Sequence, residues 1–567
     1  MNCKSALNAK FFIIGFLSVV ILTCQTVRTQ ASSPQSATPP LFLPAVTYGS
    51  GGQGAMAVAV ADLNGDGRPD LVVPNACSIS VGCSDSEPIG VLLGNGDGTF
   101  QPALTYSSGG VTSYVLGSVA IADVNRDGKP DVVVTNACGS NSNCATGSVG
   151  VLLGNGDGTF QPAVTYGSGG YFDISVAVDD VNGDGKPDVL VANDCADIVC
   201  QGSGMVGVLL GNGDGTFDSA IRYDSGGHYA RSVAVADVNG DGKPDLLVTN
   251  DCFLNCTVGL VAVLLGNGDG TFQQAVAYDS NGSHRKSVAV ADVNGDSRPD
   301  LLVANYCAAA DSTCGGGGPG AVDVLLGNGD GTFRPAATYS SGADDANSIA
   351  VADVNGDGKP DLLVTNQCAD LINCTSGTIA VLVGNGDGTF QPAVTYDSGG
   401  YFAQSIAVAD VNGDSKSDLL VANFGIDSFS SGPGAVSVLL NNTADTIPPV
   451  ITLFATATVL RSHKRKTARI SISGTITDTG SGVNLSSPTF TLKNGEGEIQ
   501  QSGAIGLGFG GSYSFTVLLP ASRRGSDGRR YAVTVRATDN AGNHGSKTRV
   551  VTLPRDHRDE DRENEPR

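Results

Sequence analysis

The stretch Asp62-Leu63-Asn64-Gly65-Asp66-Gly67-Arg68-Pro69-Asp70 decides the fold, because it recurs. The pattern D-x-N-x-D-[GS]-x-x-D begins again at Asp123, Asp180, Asp237, Asp292, Asp353 and Asp410. The spacings are 61, 57, 57, 55, 61 and 57 residues. A second string, G-N-G-D-G-T-F, interleaves with it from Gly94, Gly154, Gly211, Gly266, Gly327 and Gly384. A fixed period of this size marks a repeat architecture. Within each period lie four short β-branched runs bounded by Gly, Asn or Asp. In the second copy these are Ser118–Ala122, Asp131–Thr135, Val149–Leu153 and Gln161–Tyr166. Such runs read as strands joined by turns, and four per repeat is the pattern of a β-propeller blade.

The ends of the array predict closure. The seventh copy supplies Ser405–Val408, Asp418–Ala422 and Val436–Leu440, then stops at Asn441-Asn442 with no fourth strand. Pro44-Ala-Val-Thr-Tyr48 repeats Pro162–Tyr166, so the missing strand lies at the N-terminus. Pairing it with the last three strands removes an open edge. The expected fold is all-β: a seven-bladed β-propeller over residues 41–445, closed by its N-terminal strand, followed by an Ig-like β-sandwich.

Each Asp loop presents oxygens at positions 1, 3, 5 and 9, with the position-7 carbonyl as an expected fifth donor. The seven sets are Asp62, Asn64, Asp66, Arg68, Asp70; Asp123, Asn125, Asp127, Lys129, Asp131; Asp180, Asn182, Asp184, Lys186, Asp188; Asp237, Asn239, Asp241, Lys243, Asp245; Asp292, Asn294, Asp296, Arg298, Asp300; Asp353, Asn355, Asp357, Lys359, Asp361; and Asp410, Asn412, Asp414, Lys416, Asp418. Ca²⁺ takes six to eight such hard oxygens, and the absence of Cys and His disfavours zinc or copper. Position 12 is Val in every copy, where an EF-hand needs Glu. Up to seven Ca²⁺ are expected, with a stiffening role. G-N-G-D-G-T-F reads as a tight hairpin turn.

These residues resemble the FG-GAP/VCBS repeat family over about Leu41 to Asn442. Seven-bladed propellers of that family include the integrin α-subunit head and some secreted lectins. The resemblance implies Ca²⁺ in the loop between the first and second strands of each blade. Ser297 and Ser415 replace the position-6 Gly and Ser417 the usual Pro, so those two sites are expected to be weaker. Arg126 replaces a position-4 Gly, which is expected to matter less.

Composition agrees with an extracellular protein of this kind. Glycine is 78 of 567 residues, about twice the usual ~7%. From Met1 to Asp445 there are 16 Lys+Arg against 45 Asp+Glu, a net of −29; the remainder carries 17 against 11, a net of +6. A body of −29 disfavours a nucleic-acid partner. Lys4 and Lys10, the apolar run Phe11–Leu22 and the small-residue site Thr29-Gln30-Ala31 read as a secretory signal peptide over residues 1–31. Residues 32–40 are a Ser/Pro linker, and no membrane span is expected in the mature chain. Twelve further cysteines form local pairs, Cys77/Cys83, Cys138/Cys144, Cys195/Cys200, Cys252/Cys256, Cys307/Cys314 and Cys368/Cys374, which read as disulfides in an oxidising compartment.

Strand parity puts the Asp loops and N-G-D-G turns on one face. The cysteine loops and S-G-G loops fall on the other, where the chemistry varies between repeats: Tyr114, Tyr171, Phe172, His228, Tyr229, His284, Arg285, Asp344, Asp345, Tyr401 and Phe402. Recognition residues concentrate on variable loops of a rigid scaffold, and the resemblance implies partners on that face. Packing between blades is the competing role for these aromatics. No catalytic constellation appears. The reading is a secreted or cell-surface adhesion or recognition module, expected to be a monomer, for an extracellular glycan or protein. The rivals are a polysaccharide-acting propeller enzyme and a purely structural surface protein. From Thr446 the pattern changes. Residues 446–554 suit one β-sandwich, and Thr538-Asp-Asn-Ala-Gly-Asn543 resembles bacterial Ig-like modules. Residues 555–567 form a charged tail expected to be disordered.

Overall fold

The computed structural model describes residues 41–553 apart from 78–87, 111–116, 137–145, 198–199, 201, 253–258, 280, 309–317, 370–373, 375, 427–431, 444–447, 463–464, 479–482, 509–510, 521–529 and 540–542. The signal peptide, linker and tail read from the sequence lie outside the described residues. All named elements are strands, and every paired strand is antiparallel. No helix among the described residues is long and apolar enough to cross a membrane.

The repeats fold as four-stranded units, numbered here by their Asp loops. Unit 3 is typical: Tyr171–Asp179, Asp188–Cys195, Met205–Leu209 and Ile221–Asp224 pair in that order. Its second strand is buried at its first six positions, and most of the third is buried as well. Strands covered on both faces need uninterrupted apolar residues, as in Asp188-Val-Leu-Val-Ala192. The fourth strand is exposed at three of its four positions.

Between units the core is divided into clusters. Val133, Val149 and Val151 of unit 2 pack with Val176, Val189 and Leu209 of unit 3. The same contact joins units 3 and 4 through Leu190 and Leu246, and units 5 and 6 through Leu302 and Leu362. Leu71, Val73 and Leu92 of unit 1 pack with Leu420, Val436 and Val438 of unit 7. The strand Val46–Ala55 explains how the chain ends meet. Val46, Thr47 and Tyr48 pair with Val438, Ser437 and Val436 of unit 7, and Gln53 and Ala55 of the same strand pair with Cys77 and Asn75 of unit 1.

An aromatic pair sits at each junction. Tyr166 of unit 2 meets Phe217 of unit 3 edge-on, 5.4 Å between centroids at 79°. The Phe comes from G-T-F, which unit 7 lacks. Phe42 takes the place: it meets Tyr396 of unit 6 at 5.4 Å and 87°, and is 2% exposed. Phe42-Leu-Pro-Ala-Val-Thr-Tyr48 thus repeats Phe160–Tyr166, beginning two residues before the expected strand motif.

The first strands begin earlier than apolar alternation predicts. Seven residues of unit 7 precede Val408 in the strand Tyr401–Ala409, against the expected start at Ser405. A register shift between Ala403 and Ser405 marks a bulge there, and units 3 to 6 have the same shift. Residues beyond a bulge no longer alternate, so the sequence pattern stops at it.

Residues after 449 form two four-stranded sheets. One joins Val450–Ile451, Arg465–Thr477, Phe454–Ser462 and Ser512–Pro520; the other joins Ile499–Ala504, Thr489–Asn494, Arg530–Thr538 and His544–Thr552. Ile470, Ile472 and Val517 of the first share one buried core with Leu492, Val533 and Val535 of the second.

Candidate functional site

The Asp loops have one geometry throughout. In unit 1, Asp62 Oδ1 accepts from the N–H groups of Gly65 and Asp66, and its Oδ2 accepts from Gly67 at 2.8 Å. Asn64 Oδ1 accepts from Asp66 N–H at 2.9 Å, and Asp66 Oδ1 from Arg68 N–H at 2.9 Å. These side-chain caps hold a turn in which positions 4 and 6 are both left-handed: Gly65 has φ 74° and Gly67 φ 80°. Arg126 at position 4 has φ 61°, and Ser297 and Ser415 at position 6 have φ 65° and 64°. Arg126 at position 4 thus shares the left-handed backbone of the two serines at position 6. All three occupy a region that L side chains adopt at a cost.

Position 9 has a second task that the sequence does not reveal. Asp70 is fully buried; its Oδ2 accepts from Leu63 N–H at 2.9 Å and its Oδ1 from Gly94 N–H at 2.7 Å. It ties the loop to the first Gly of the G-N-G-D-G-T-F string. Asp131, Asp188, Asp245, Asp300 and Asp361 do the same, and Asp418 reaches Asn441 where unit 7 has no such Gly. The turn of one unit also donates to the Asp loop of the preceding one. Gly158 N–H reaches Leu63 C=O at 3.2 Å, and Gly98 of unit 1 reaches Val411 of unit 7 at 2.9 Å. Asp loops and N-G-D-G turns thus share one end of the units, as strand parity predicts.

Burial pushes every position-9 carboxyl upward, and its own loop's Asp residues at positions 1 and 5 add to this in unit 1. Asp188 and Asp418 are pushed up to about 6, again first by burial. In units 1 to 4 and 6 the position-5 Asp lies within 4.0 Å of the position-7 cation, as in Lys186–Asp184 at 3.0 Å. Three carboxylates and an amide around one turn, with a buried like-charge member, form a donor set that suits a hard divalent cation. Among the described residues, no three acidic, His or Cys side chains converge as a metal cluster. The loop carboxylates instead accept backbone N–H groups.

The other end of the units is irregular. Phe172, Tyr229, Asp345 and Phe402 hold φ of 56°, 56°, 62° and 53° at equivalent positions beside the bulges. For bulky residues this is uncommon backbone, and it redirects the chain just before the apolar part of the strand. Tyr171, Phe172, His228, Tyr229, Tyr401 and Phe402 are half-buried. His228 Nδ1 lies 2.8 Å from Gly202 C=O. Tyr114 and the side chains of His284 and Arg285 lie outside the described residues.

Next to these residues is a charged group that belongs to neither repeated string. Arg231 reaches Asp194 of unit 3 through Nη1 at 3.0 Å and Asp251 through Nη2 at 3.1 Å. Its guanidinium stands 5.9 Å from the Tyr229 ring centroid, and Lys286 Nζ stands 5.2 Å from that of Tyr306. Burial lifts Asp194 to about 6 despite Arg231. Aligning the seven repeats column by column would have exposed it, since these columns change character between units.

Disulfides Cys195–Cys200 and Cys368–Cys374 are present, and Cys307 is disulfide-bonded. Cys83, Cys138, Cys144, Cys256 and Cys314, and the side chains of Cys77 and Cys252, lie outside the described residues.

An FG-GAP-like repeat model matches residues 79–134, 138–191, 194–248, 249–303, 309–364 and 366–421. An FG-GAP repeat model matches 54–76 and 286–325. No curated protein sequence matches the chain. Among solved structures, the V. cholerae biofilm matrix protein Bap1 is similar at 16% identity and TM-score 0.37, over 70% of this chain and 89% of that one. The exotype rhamnogalacturonan lyase YesX is similar at 12% identity and TM-score 0.35, over 89% and 90%. The extracellular domain of the putative one component system BT4673 from B. thetaiotaomicron is similar at 7% and 0.38, over 88% and 56%.

Proposed function

The chain belongs to the FG-GAP-like repeat family, and from that premise we propose an extracellular, calcium-binding recognition module for a glycan or protein. In this reading the seven units close as a seven-bladed β-propeller, and the C-terminal sheets form an Ig-like spacer. Packing of unit 1 on unit 7 and the shared strand Val46–Ala55 support closure. Disulfides support an oxidising, extracellular setting.

One observation carries the proposal: the two ends of the units differ in kind. At one end seven Asp/Asn loops repeat a single geometry, which suits structural Ca²⁺ held by positions 1, 3, 5 and 9 and the position-7 carbonyl. A bound cation would neutralise the loop carboxylates and stiffen the turn. At the other end, side chains beside the bulges change from unit to unit while the scaffold does not. Repetition serves the fold, and variation on a rigid frame serves recognition.

The test is a screen of the purified chain, with Ca²⁺ present, against immobilised glycans and extracellular-matrix proteins. Binding without turnover is expected. Release of saccharide products would overturn the proposal in favour of an enzyme, and binding to nothing would favour a purely structural protein.

A further inference from the structure

Two columns of the repeat change chemistry from unit to unit at the end away from the Asp loops. The first lies two residues before the buried Val or Ile of each first strand and holds Met56, Ile174, Arg231, Lys286, Asn347 and Gln404. The second, at the end of the second strand, holds Ala76, Asp194, Asp251, Tyr306, Gln367 and Phe424. In unit 2 the first column holds Gly117, and residue 137 of the second lies outside the described residues. In unit 1 both positions are apolar, and Met56 and Ala76 pack against Phe424 of unit 7. In units 3 to 5 they are charged or aromatic except for Ile174.

Folding alone does not ask for the charges. The same backbone positions accept Met, Ala and Phe two units away, and burying ions costs more than burying apolar groups of similar volume. The side chains of Arg231, Asp194 and Asp251 are nevertheless only 20%, 14% and 10% exposed. Neighbouring first strands lie against one another here: Ser175 Oγ accepts from Val233 N–H at 3.3 Å, and Ser232 Oγ from Val288 N–H at 3.4 Å. Arg231 and Lys286 therefore belong to one surface.

The chemistry of that surface narrows the ligand. Arg231 and Lys286 donate. Asp194 Oδ2 holds Arg231, while its Oδ1 is buried and has no hydrogen-bond partner among the described residues. A buried acceptor without a donor is costly, and a ligand hydroxyl would satisfy it. The rings of Tyr229 and Tyr306 lie beside the two cations and offer apolar faces with polar tips. Donors, an unsatisfied acceptor and ring faces together suit vicinal hydroxyls on a ring whose C–H face stacks. Asp194, Asp251 and Asp345 outnumber the two cations, so there is no positive surplus for a carboxylate or sulfate.

We propose that Asp194, Arg231 and Lys286, with the Tyr229 and Tyr306 rings, form a binding site for a neutral sugar residue. This deepens the recognition reading above and rests on it.

The experiment uses the full Ca²⁺-loaded chain with galactose, glucose, mannose, fucose and rhamnose as probes, and glucuronate for contrast. Saturation-transfer NMR finds the binder, and calorimetry measures it. At least one neutral sugar is expected to bind. Lys286→Met and Asp194→Asn are each expected to weaken it at least tenfold, with Gln273→Ala, on an exposed turn, unchanged. Melting curves check that each variant folds; if Asp194→Asn does not, Lys286→Met decides. Silence from every neutral sugar, preference for glucuronate, or undiminished binding by Lys286→Met would overturn the site. Glycan-array binding that survives both variants would leave the recognition function standing and refute only this location.

Discussion

Replacing Phe42 with Ala tests whether the N-terminal segment completes the last unit. Phe42 is 2% exposed, packs with Val354, Leu363, Leu419 and Leu439, and meets the Tyr396 ring edge-on at 5.4 Å. Removing a buried Phe costs about 3–5 kcal/mol, part of it the ~0.5–1.5 kcal/mol of an edge-to-face aromatic pair. Unfolding entropy is ~2.1 cal/mol/K per residue, so a domain of about 400 residues loses roughly 1 °C for each 0.8 kcal/mol. The variant should therefore melt about 4–6 °C lower. Val46→Ala is the control: Val46 is on the strand Val46–Ala55 but 53% exposed, and its loss should stay within ~0.5 kcal/mol. Phe160→Ala, the equivalent change between units 1 and 2, should match Phe42→Ala because Phe160 meets Tyr106 at 5.5 Å in the same way. Scanning calorimetry on the three variants under one set of conditions reads the result. If Phe42→Ala behaves like Val46→Ala, the segment is an appendage and the closure argument fails.

Other consequences are open to measurement. Asp194 sits among Arg231, Asp251 and Lys286 with its carboxyl lifted to about 6, first by burial, above the ~3.9 of an unfolded Asp. Its contribution to stability is thus fully present below about pH 4 and is lost as pH rises through 6. Relative to Asp194→Asn, the wild-type melting temperature should fall between pH 4 and 7; a parallel pair of curves would contradict this. The Cys368–Cys374 bond spans six residues. Its loop-closure effect is about 2 kcal/mol on the chain-entropy model, so Cys368→Ser/Cys374→Ser should fold and melt only slightly earlier. Failure of that variant to fold would show a larger role.

The repeat, its strands and the pairing of the N-terminal strand with unit 7 were legible because each has a local signature. Short β-branched runs sit between glycines, and Pro44–Tyr48 copies Pro162–Tyr166. Phe42 is harder to read because it lacks the Gly-Thr that precedes the other six Phe residues, although Phe-x-Pro-Ala is present. The Asp loops were legible as oxygen-rich turns. The tie from Asp70 to Gly94 was not, because it joins residues 24 apart whose proximity exists only after the strands pair. The bulges hid the start of the first strands by breaking alternation at Ala403 and its equivalents. Arg231 and Asp194 were invisible to motif reading for a different reason: they lie in different units, 37 residues apart, and neither belongs to the repeated strings.

The central claim is that the Asp loops hold Ca²⁺ and that the ion stiffens the units. Calorimetric Ca²⁺ titration of the chelator-stripped chain, paired with melting curves in Ca²⁺ and in EDTA, tests it most directly. Each site saturated at about 100 times its Kd adds roughly 2.7 kcal/mol. The account predicts near seven Ca²⁺ per chain, with fewer or weaker events at the Ser297 and Ser415 loops, and a large fall in melting temperature on chelation. No binding, or a melting temperature indifferent to EDTA, would contradict it and leave the Asp loops as hydrogen-bonded turns alone.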